Sequence, residues 1–239
     1  MEENPTGKKL PFRRINTVGK GGFGKVSLFD NHAGEKLVIK NAWKNDKDLE
    51  HQYAILKYLK HRNICSNYLC VKGKTKHDGR FGIIMNYLQD YTPLLDTKLR
   101  HLPVREKIIV ANDILRKLVL LHQNHVVHGD IKPSNLLANP YLLQARIIDF
   151  GGAVRFRDDK KSYRPRQYTR TYFPSCRKKK EYTWEEMCDN DLWALGLSFL
   201  QLFHMTHRFP EGINDRNASR ANRLLRRKLK TNVTFFRCL

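Results

Sequence analysis

The residues best suited to chemistry lie close together in the middle of the chain. The segment from His128 to Asn135 contains Asp130 and Lys132, and Asp149 follows after an apolar, strand-like run. A divalent cation that prefers oxygen ligands is usually bound by one or two carboxylates together with substrate phosphates. Phosphoryl transfer requires little beyond such positioning and charge stabilisation. The set therefore predicts a site that positions a hydroxyl group, binds divalent metal and neutralises a phosphate.

A histidine and an aspartate two residues apart would predict, on their own, only a loop with a capping carboxylate. The complete set at this spacing resembles the protein kinase superfamily. The sequence Lys-Pro-Ser-Asn at residues 132–135 resembles that of Ser/Thr kinases rather than that of Tyr kinases. By this resemblance Asp130 is the catalytic base, Lys132 lies near the transferred phosphate, and Asn135 and Asp149 bind the metal.

A glycine-rich segment near the N-terminus is the second candidate site. Glycine lets the backbone approach phosphates closely, although tight hairpin turns also collect glycine. The flanks look like strands, unlike the strand and helix that flank a dinucleotide-binding turn. The spacing resembles the kinase glycine-rich loop, which implies nucleotide contacts along the whole segment. Its residues are Val18, Gly19, Lys20, Gly21, Gly22, Phe23, Gly24, Lys25 and Val26.

Lys40 ends an apolar run and is costly to bury unless it meets an anion. Considered alone, it is typical of a strand-end lysine that reaches solvent. The resemblance implies that Lys40 contacts the α- and β-phosphates and pairs with a glutamate of the next helix. Helical spacing predicts that helix over residues 46–61, and the glutamate position falls on Gln52. Either Gln52 hydrogen-bonds Lys40, or the helix is shifted and Glu50, on roughly the opposite face, serves.

The apolar run that ends at Met85 predicts a buried strand, in which Met85 fills a gap in the core. The resemblance implies that Met85 is also the gatekeeper beside the nucleotide, and the two interpretations are compatible. It further implies that residues 86–90 connect two lobes, with the backbone from Asn86 to Leu88 binding adenine.

Two longer helices are predicted downstream. Pro103 opens the first, whose apolar positions form one buried stripe that ends near Leu121. The second contains residues 191–200, which are apolar nearly all round and predict a buried central helix. By the resemblance, Asp191 at its start braces the backbone of the catalytic loop.

The composition indicates a globular intracellular protein, in the cytoplasm or the nucleus. The chain has 239 residues, of which 28% are charged and 41% hydrophobic. No apolar run reaches the length of a transmembrane helix, and the polar N-terminus shows no secretory signal. Scattered cysteines without zinc or scaffold spacing are interpreted as reduced thiols. They are Cys65, Cys70, Cys176, Cys188 and Cys238.

The net charge of +22 predicts attraction to nucleic acid, acidic proteins or anionic membranes without choosing among them. Residues 155–180 and the tail after residue 205 are strongly basic. Their clusters Lys178–Lys180 and Arg226–Lys228 suit nuclear import or nucleic-acid binding. We predict instead that they steer acidic protein substrates towards the site; a plain solvated surface is the remaining alternative.

The resemblance implies an α+β, two-lobed fold with an antiparallel-sheet N-lobe and a mostly helical, shortened C-lobe. The predicted bounds are a lead-in at 1–11, an N-lobe at about 12–85 and a C-lobe at about 91–239. ATP and Mg²⁺ are expected between the lobes, with γ-phosphoryl transfer to serine or threonine of proteins. So short a C-lobe resembles the compact kinases of large DNA viruses and bacterial effectors, which act in a host cell.

Two alternatives stay open. A pseudokinase or scaffold is supported by Gln52 and by Pro-Ser-Cys at residues 174–176, where the family has Ala-Pro-Glu. Against this alternative, the residues that the resemblance gives as phosphate-binding lysine, catalytic base and metal ligands are all present; they are Lys40, Asp130, Asn135 and Asp149. A nucleic-acid-binding protein on a kinase-like fold is supported by the charge.

Gly129 stands where kinases switched by activation-loop phosphorylation have an arginine, so we expect activity without that phosphorylation.

Overall fold

The computed structural model describes residues 12–21, 24–31, 34–42, 46–68, 70–77, 80–157, 159, 161–174 and 180–204. The chain divides into two compact units, Met1–Gln89 and Asp90–Leu239. The first contains an antiparallel sheet and the second contains most of the helices, which confirms the predicted α+β class.

The first unit is a five-stranded sheet with one helix packed on it. Its elements are β1 (Arg13–Gly21), β2 (Gly24–Asn31), β3 (Glu35–Ala42), α1 (Asp46–His61), β4 (Val71–His77) and β5 (Arg80–Asn86). The strand order is β1-β2-β3-β5-β4, and neighbouring strands are antiparallel.

Helix α1 has the bounds that the apolar spacing predicts. Asp46 and Asp48 lie in its first turn, where negative charge complements the helix dipole. The buried residues follow helical spacing and face the sheet. They are Leu49, Gln52, Ile55, Leu56 and Leu59.

The loop between α1 and β4 corrects one expectation. Cys65 and Cys70 form a disulfide with their Cα atoms 5.1 Å apart, so the prediction of reduced thiols is wrong for this pair. A short 3₁₀ turn at Cys65–Asn67 folds the chain back towards β4 and brings the two side chains together. Cys188 is free.

The second unit has two long helices and two small antiparallel sheets. Its elements are β6 (Thr92–Pro93), α2 (Thr97–Arg100), α3 (Val104–Gln123), β7 (Val126–Val127), β8 (Leu136–Asn139), β9 (Gln144–Ile147), β10 (Val154–Arg155) and α4 (Trp184–His204). The sheets have the orders β6-β8-β9 and β10-β7, and α3 contacts β9 and α4.

Helix α3 begins directly after Pro103, as predicted, and buries one stripe. The stripe includes Lys117, whose Nζ donates to Asp113 Oδ2 at 2.6 Å and to the Ala145 carbonyl at 2.7 Å. Burial lowers the pKa of Lys117 despite the nearby carboxylate. Because Ala145 lies on β9, this lysine ties the helix to the strand.

Helix α4 is less uniformly buried than its sequence predicts. Ala194, Leu195 and Leu197 are buried, but Leu192 is 43% exposed. Across the part of the chain that the structure describes, none of the helices has the length and apolar character that a membrane crossing requires. Residues 22, 23, 175–179 and 205–239 lie outside the described residues. These ranges include Cys176 of the Pro-Ser-Cys motif, and Lys178, Lys179 and Arg226–Lys228 of the two basic clusters.

Candidate active site

The loop between β7 and β8 is fixed by one buried carboxylate. Asp191, 2% exposed, accepts the His128 backbone N–H at 2.7 Å and the Gly129 backbone N–H at 2.9 Å. His122 Nε2 contacts the same carboxylate at 3.0 Å. The predicted bracing role of Asp191 is therefore confirmed. The His128 ring is buried and donates to the Ile148 carbonyl at 2.9 Å, which ties the loop to the residue before Asp149.

The Asp130 carboxylate is the centre of the loop. Lys132 Nζ donates to its Oδ2 at 2.7 Å, and the Thr169 hydroxyl and backbone N–H donate to its Oδ1 at 2.7 and 2.8 Å. Lys132 Nζ also lies 3.0 Å from Thr169 Oγ1. Asp130 and Lys132, both predicted for the site, thus contact each other. Thr169, which the sequence did not assign to the site, contacts both of them.

Asn135 and Asp149 are brought together by strand pairing. Strands β8 and β9 pair Leu136 with Ile147, and the Ile148 N–H donates to the Asn135 carbonyl at 2.9 Å. Asn135 Nδ2 donates to the Asp130 carbonyl at 2.9 Å, which leaves its amide oxygen for a cation.

These ligands fit a magnesium ion that is shared with phosphates. Within the described residues, no group of three or more His, Cys, Asp or Glu side chains could hold a metal. Mg²⁺ usually takes one or two carboxylates plus substrate phosphate oxygens rather than a cage of protein ligands. The Asp149 carboxylate and the Asn135 amide oxygen suit that mode of binding.

Gly129 has a backbone conformation that only glycine adopts without strain. Its φ is +78°, and a Cβ atom there would lie 2.5 Å from the Gly152 carbonyl oxygen. The position therefore favours glycine over arginine on steric grounds. As a consequence, the loop lacks the positive charge that an arginine would carry here.

Two cavities adjoin the Asp130 loop. A cavity of about 20 Å³ is lined by Gly129, Asp130, Thr169 and residues of α4. A larger, more open one of about 410 Å³ is lined by Lys132, Pro133 and Ser134, together with Tyr172 and the segment around Leu95. Asp130 thus lines the smaller cavity and Lys132 lines the larger one.

In the first unit, Lys40 pairs with Gln52 rather than Glu50. Lys40 Nζ donates to Gln52 Oε1 at 2.9 Å, and the two residues are 8% and 2% exposed. Glu50 is exposed, because it lies off the buried face of α1. A neutral amide therefore occupies the position that the resemblance gives to a glutamate.

The glycine-rich segment is a hairpin of β1 and β2 in which Gly21 pairs with Gly24. A Cβ atom at Gly24 would lie 2.4 Å from the Asn41 carbonyl oxygen, so close packing against β3 requires this glycine. At Gly19 a Cβ atom would make only an ordinary contact with Val26. Val18 and Lys20 are exposed, and Lys25 and Val26 are half-buried.

The end of β5 holds the other predicted nucleotide contacts. Met85 is 1% exposed and pairs with Val38, which confirms the buried strand. Asn86 belongs to β5 rather than to the connector, because it pairs with Leu37 of β3; its N–H also donates to the Cys70 carbonyl at 3.2 Å. Leu88 follows the strand and is half-buried.

The segment after β10 is held by a buried tyrosine. Tyr163 is 1% exposed, and its backbone exchanges two hydrogen bonds with Tyr182, at 2.8 and 2.9 Å. Its hydroxyl accepts the Arg157 N–H at 2.9 Å. The ring packs beside Phe156 and Trp184. Hydrophobic packing thus orders the chain on the way to Thr169.

Comparison with known proteins gives a family match and distant relatives. The protein kinase domain family matches residues 12–236. The glycogen synthase kinase-3 homolog YGK3 of Saccharomyces cerevisiae is 28% identical over 216 residues, 81% of this chain and 55% of that protein. Mitogen-activated protein kinase 4a of Physcomitrium patens is 28% identical over 219 residues, 82% of this chain and 53% of that protein. The mouse mitogen-activated protein kinase kinase kinase 15 is 34% identical over 147 residues, 58% of this chain and 11% of that protein. The chain thus spans about half the length, or less, of these relatives.

Proposed function

The chain belongs to the protein kinase domain family, and we propose that it transfers the γ-phosphoryl group of ATP to serine or threonine hydroxyls of protein substrates. The observation that carries the proposal is the convergence of Lys132 and Thr169 on the Asp130 carboxylate. A carboxylate with an ammonium group at hydrogen-bond distance combines a proton acceptor with a cation that stabilises phosphoryl charge.

In this proposal Asp130 accepts the proton of the substrate hydroxyl. The substrate oxygen forms the new bond to the γ-phosphorus, and the bond from that phosphorus to the ADP oxygen breaks. Lys132 neutralises charge on the transferred group. The Thr169 hydroxyl accepts from Lys132 and donates to Asp130, so it keeps both side chains in place.

Nucleotide and metal roles are assigned to the remaining predicted residues. Lys40 and the glycine-rich hairpin, residues 18–26, are proposed to bind ATP phosphates, and the strand end from Met85 to Leu88 is proposed to bind adenine. Asn135 and Asp149 are proposed to hold Mg²⁺, which would neutralise phosphate charge when bound. The loop that carries Asp130 is braced by Asp191, which accepts two of its backbone N–H groups.

The test is incubation with Mg·ATP and a mixture of acidic and basic proteins, beside two variants. Asp130→Ala should lower transfer by about 10²-fold or more, the scale of a positioned general base. Asp159→Ala removes an exposed carboxylate that pairs with Arg157 on the surface, and should leave the rate near that of the wild type. Absence of Asp130-dependent transfer with every substrate would favour the pseudokinase alternative.

A preference for acidic substrates is part of the proposal. Arg170 is exposed and directly follows Thr169, beside the proposed base. Cations at such a position attract acidic peptides and repel basic ones, within a Debye length of about 8 Å at physiological salt. Equal or faster phosphorylation of peptides flanked by Arg or Lys would remove this preference. Salt-dependent retention on DNA would instead support a nucleic-acid role for the charge.

A further inference from the structure

The larger cavity beside the Asp130 loop has no role in the site described above. Its volume is about 410 Å³, and all of the residues that line it belong to the second unit. At about 30 Å³ per water molecule it has room for roughly a dozen waters, and so for a large amino-acid side chain. Pro93 and Ser134 in its wall are exposed, so an occupant can enter from solvent.

Apolar surface dominates the walls of this cavity. The Tyr172 hydroxyl donates to Gln201 Oε1 at 2.8 Å, so the ring is the part left for an occupant. The Lys132 Nζ atom donates to Asp130 Oδ2 at 2.7 Å, which leaves its methylene stem for the wall. Burial of an apolar group against such walls is favourable in proportion to the area removed from water. The apolar wall residues are Pro93, Leu95, Pro133 and Tyr172.

Backbone contacts fix the shape of the cavity before anything binds. Strand β6, which contains Pro93, pairs with β8. The Leu94 N–H donates to the Pro133 carbonyl at 3.2 Å, which ties the first wall segment to the second. The Asp96 side chain accepts the Lys98 N–H at 3.0 Å and so caps α2. A preformed apolar cavity binds a side chain without the cost of ordering its own walls.

Lys132 connects the cavity to the proposed base. Its Nζ contacts the Asp130 carboxylate, and its side chain lines the cavity. An extended peptide advances about 3.3 Å per residue, so a substrate whose hydroxyl reaches Asp130 places a residue two or three positions away beside Lys132. The occupant that this position selects is therefore part of the substrate itself.

We propose that the cavity is a specificity pocket for an apolar substrate side chain of the size of leucine or larger, two or three residues from the phosphorylated serine or threonine. This inference rests on the proposed kinase function and adds a substrate class to it. It concerns a different substrate position from the acidic preference attributed to Arg170, because Arg170 does not line the cavity.

The charged wall residues do not select an ionised occupant. Asp96 would favour a cationic side chain, but its Oδ1 is already used as the cap of α2. Lys132 would favour an anionic one, but its Nζ is held by Asp130 and Thr169. A charged occupant would lose its hydration for partners that are already engaged, whereas an apolar one has no such cost.

The first experiment uses the wild-type protein and peptides that carry one phosphorylatable serine. Each of the three positions on either side of the serine is occupied in turn by Leu, Ala, Asp or Arg. At one position two or three residues from the serine, we expect kcat/KM for the Leu peptide to exceed that for the Ala peptide by about tenfold. The difference should appear mainly in KM, because the side chain is buried on binding.

The second experiment changes the wall. Leu95→Asn keeps nearly the same volume at a half-buried position and removes an apolar surface, so the preference for Leu over Ala should fall to about twofold or less. Transfer to the Ala peptide should persist. The matched control is Leu142→Asn, the same change at a residue that is 62% exposed and outside the cavity, which should keep the tenfold preference.

Asp96→Asn tests the cationic occupant directly. Asparagine caps a helix as well as aspartate does, so this variant removes the charge and keeps the cap. The preference for Leu over Ala should stay unchanged. If the wild type instead prefers Arg at this position and Asp96→Asn abolishes that preference, an apolar pocket is refuted.

Peptide binding without ATP separates failure of this inference from failure of the kinase proposal. Fluorescence polarisation should show that the wild type binds the Leu peptide more tightly than the Ala peptide, and that Leu95→Asn binds both equally. Equal affinity of the wild type for both peptides overturns the inference, even if Asp130-dependent transfer is strong. An unchanged preference in Leu95→Asn does the same. Tighter binding of the Leu peptide without any transfer supports the pocket and rejects the kinase proposal.

Discussion

Substitution of Gly129 tests the steric account of the loop that carries Asp130. A residue with a Cβ atom at φ +78° costs about 1–2 kcal/mol in the left-handed region. The Cβ atom would also lie 2.5 Å from the Gly152 carbonyl oxygen, and such overpacking adds about 1–3 kcal/mol. Gly129→Ala should therefore lower the free energy of unfolding by about 2–5 kcal/mol. It should also lower phosphoryl transfer, because Asp130 must move with its neighbour.

Two glycines serve as matched controls in scanning calorimetry. Gly34 has φ +80°, but a Cβ atom added there would meet no heavy atom within 4 Å, so Gly34→Ala should show only the conformational cost. Gly196 lies inside α4 with open space around it, and Gly196→Ala should stabilise the helix by about 0.5–1 kcal/mol. One kcal/mol corresponds to about 2–4 °C for a chain of this size. If Gly129→Ala lowers Tm no more than Gly34→Ala, a clash with Gly152 is refuted.

Four further predictions concern single side chains. Lys40→Met or Asp149→Ala should lower transfer by about 10²-fold, the scale of one preorganised charge, and a rate within tenfold of wild type contradicts the assigned roles. Gln52→Leu should cost about 1.5–3 kcal/mol in thermal unfolding through loss of the bond to Lys40, whereas Gln52→Glu should retain transfer. Phosphatase treatment should leave activity unchanged, since a phosphate on Thr169 would repel the Asp130 carboxylate that it contacts; restoration of activity by phosphorylation at Thr169 would show the opposite. Burial, with nearby carboxylates, raises the pKa of Cys188 to about 12, so peptide mass spectrometry should find this thiol unalkylated at about pH 8 until urea unfolds the protein.

Local patterns predicted the parts of the fold that depend on local physics. Helix α1 has the predicted bounds, because its apolar spacing leaves only one face to bury. The same face decides between the two candidates for Lys40, since Gln52 lies on it and Glu50 does not. Asp191 takes the place that the resemblance to kinases implied; no local pattern indicated this contact, since Asp191 and His128 are 63 positions apart.

The features that the sequence did not reveal depend on contacts between distant segments. Thr169 reaches Asp130 across 39 positions, and no local pattern indicates that its hydroxyl folds back. The Cys65–Cys70 disulfide depends on how the chain turns after α1, which two cysteines five residues apart do not specify. Asn190 looks like any polar residue near a helix start. Only the packed structure shows that its amide is buried without a partner.

The segment before Thr169 is held by packing and hydrogen bonds rather than by a contact with a phosphate group. Position 129 carries no arginine that could bind a phosphate on this segment, and the conformation of Gly129 excludes a larger residue without strain. In place of charge, Tyr163 is buried and bonded through its backbone to Tyr182 and through its hydroxyl to Arg157. Aromatic packing of this kind requires no added group, whereas a phosphate–arginine contact depends on a modification. The missing cation and the tyrosine anchor therefore support the same conclusion, that this segment is held in place by the sequence itself.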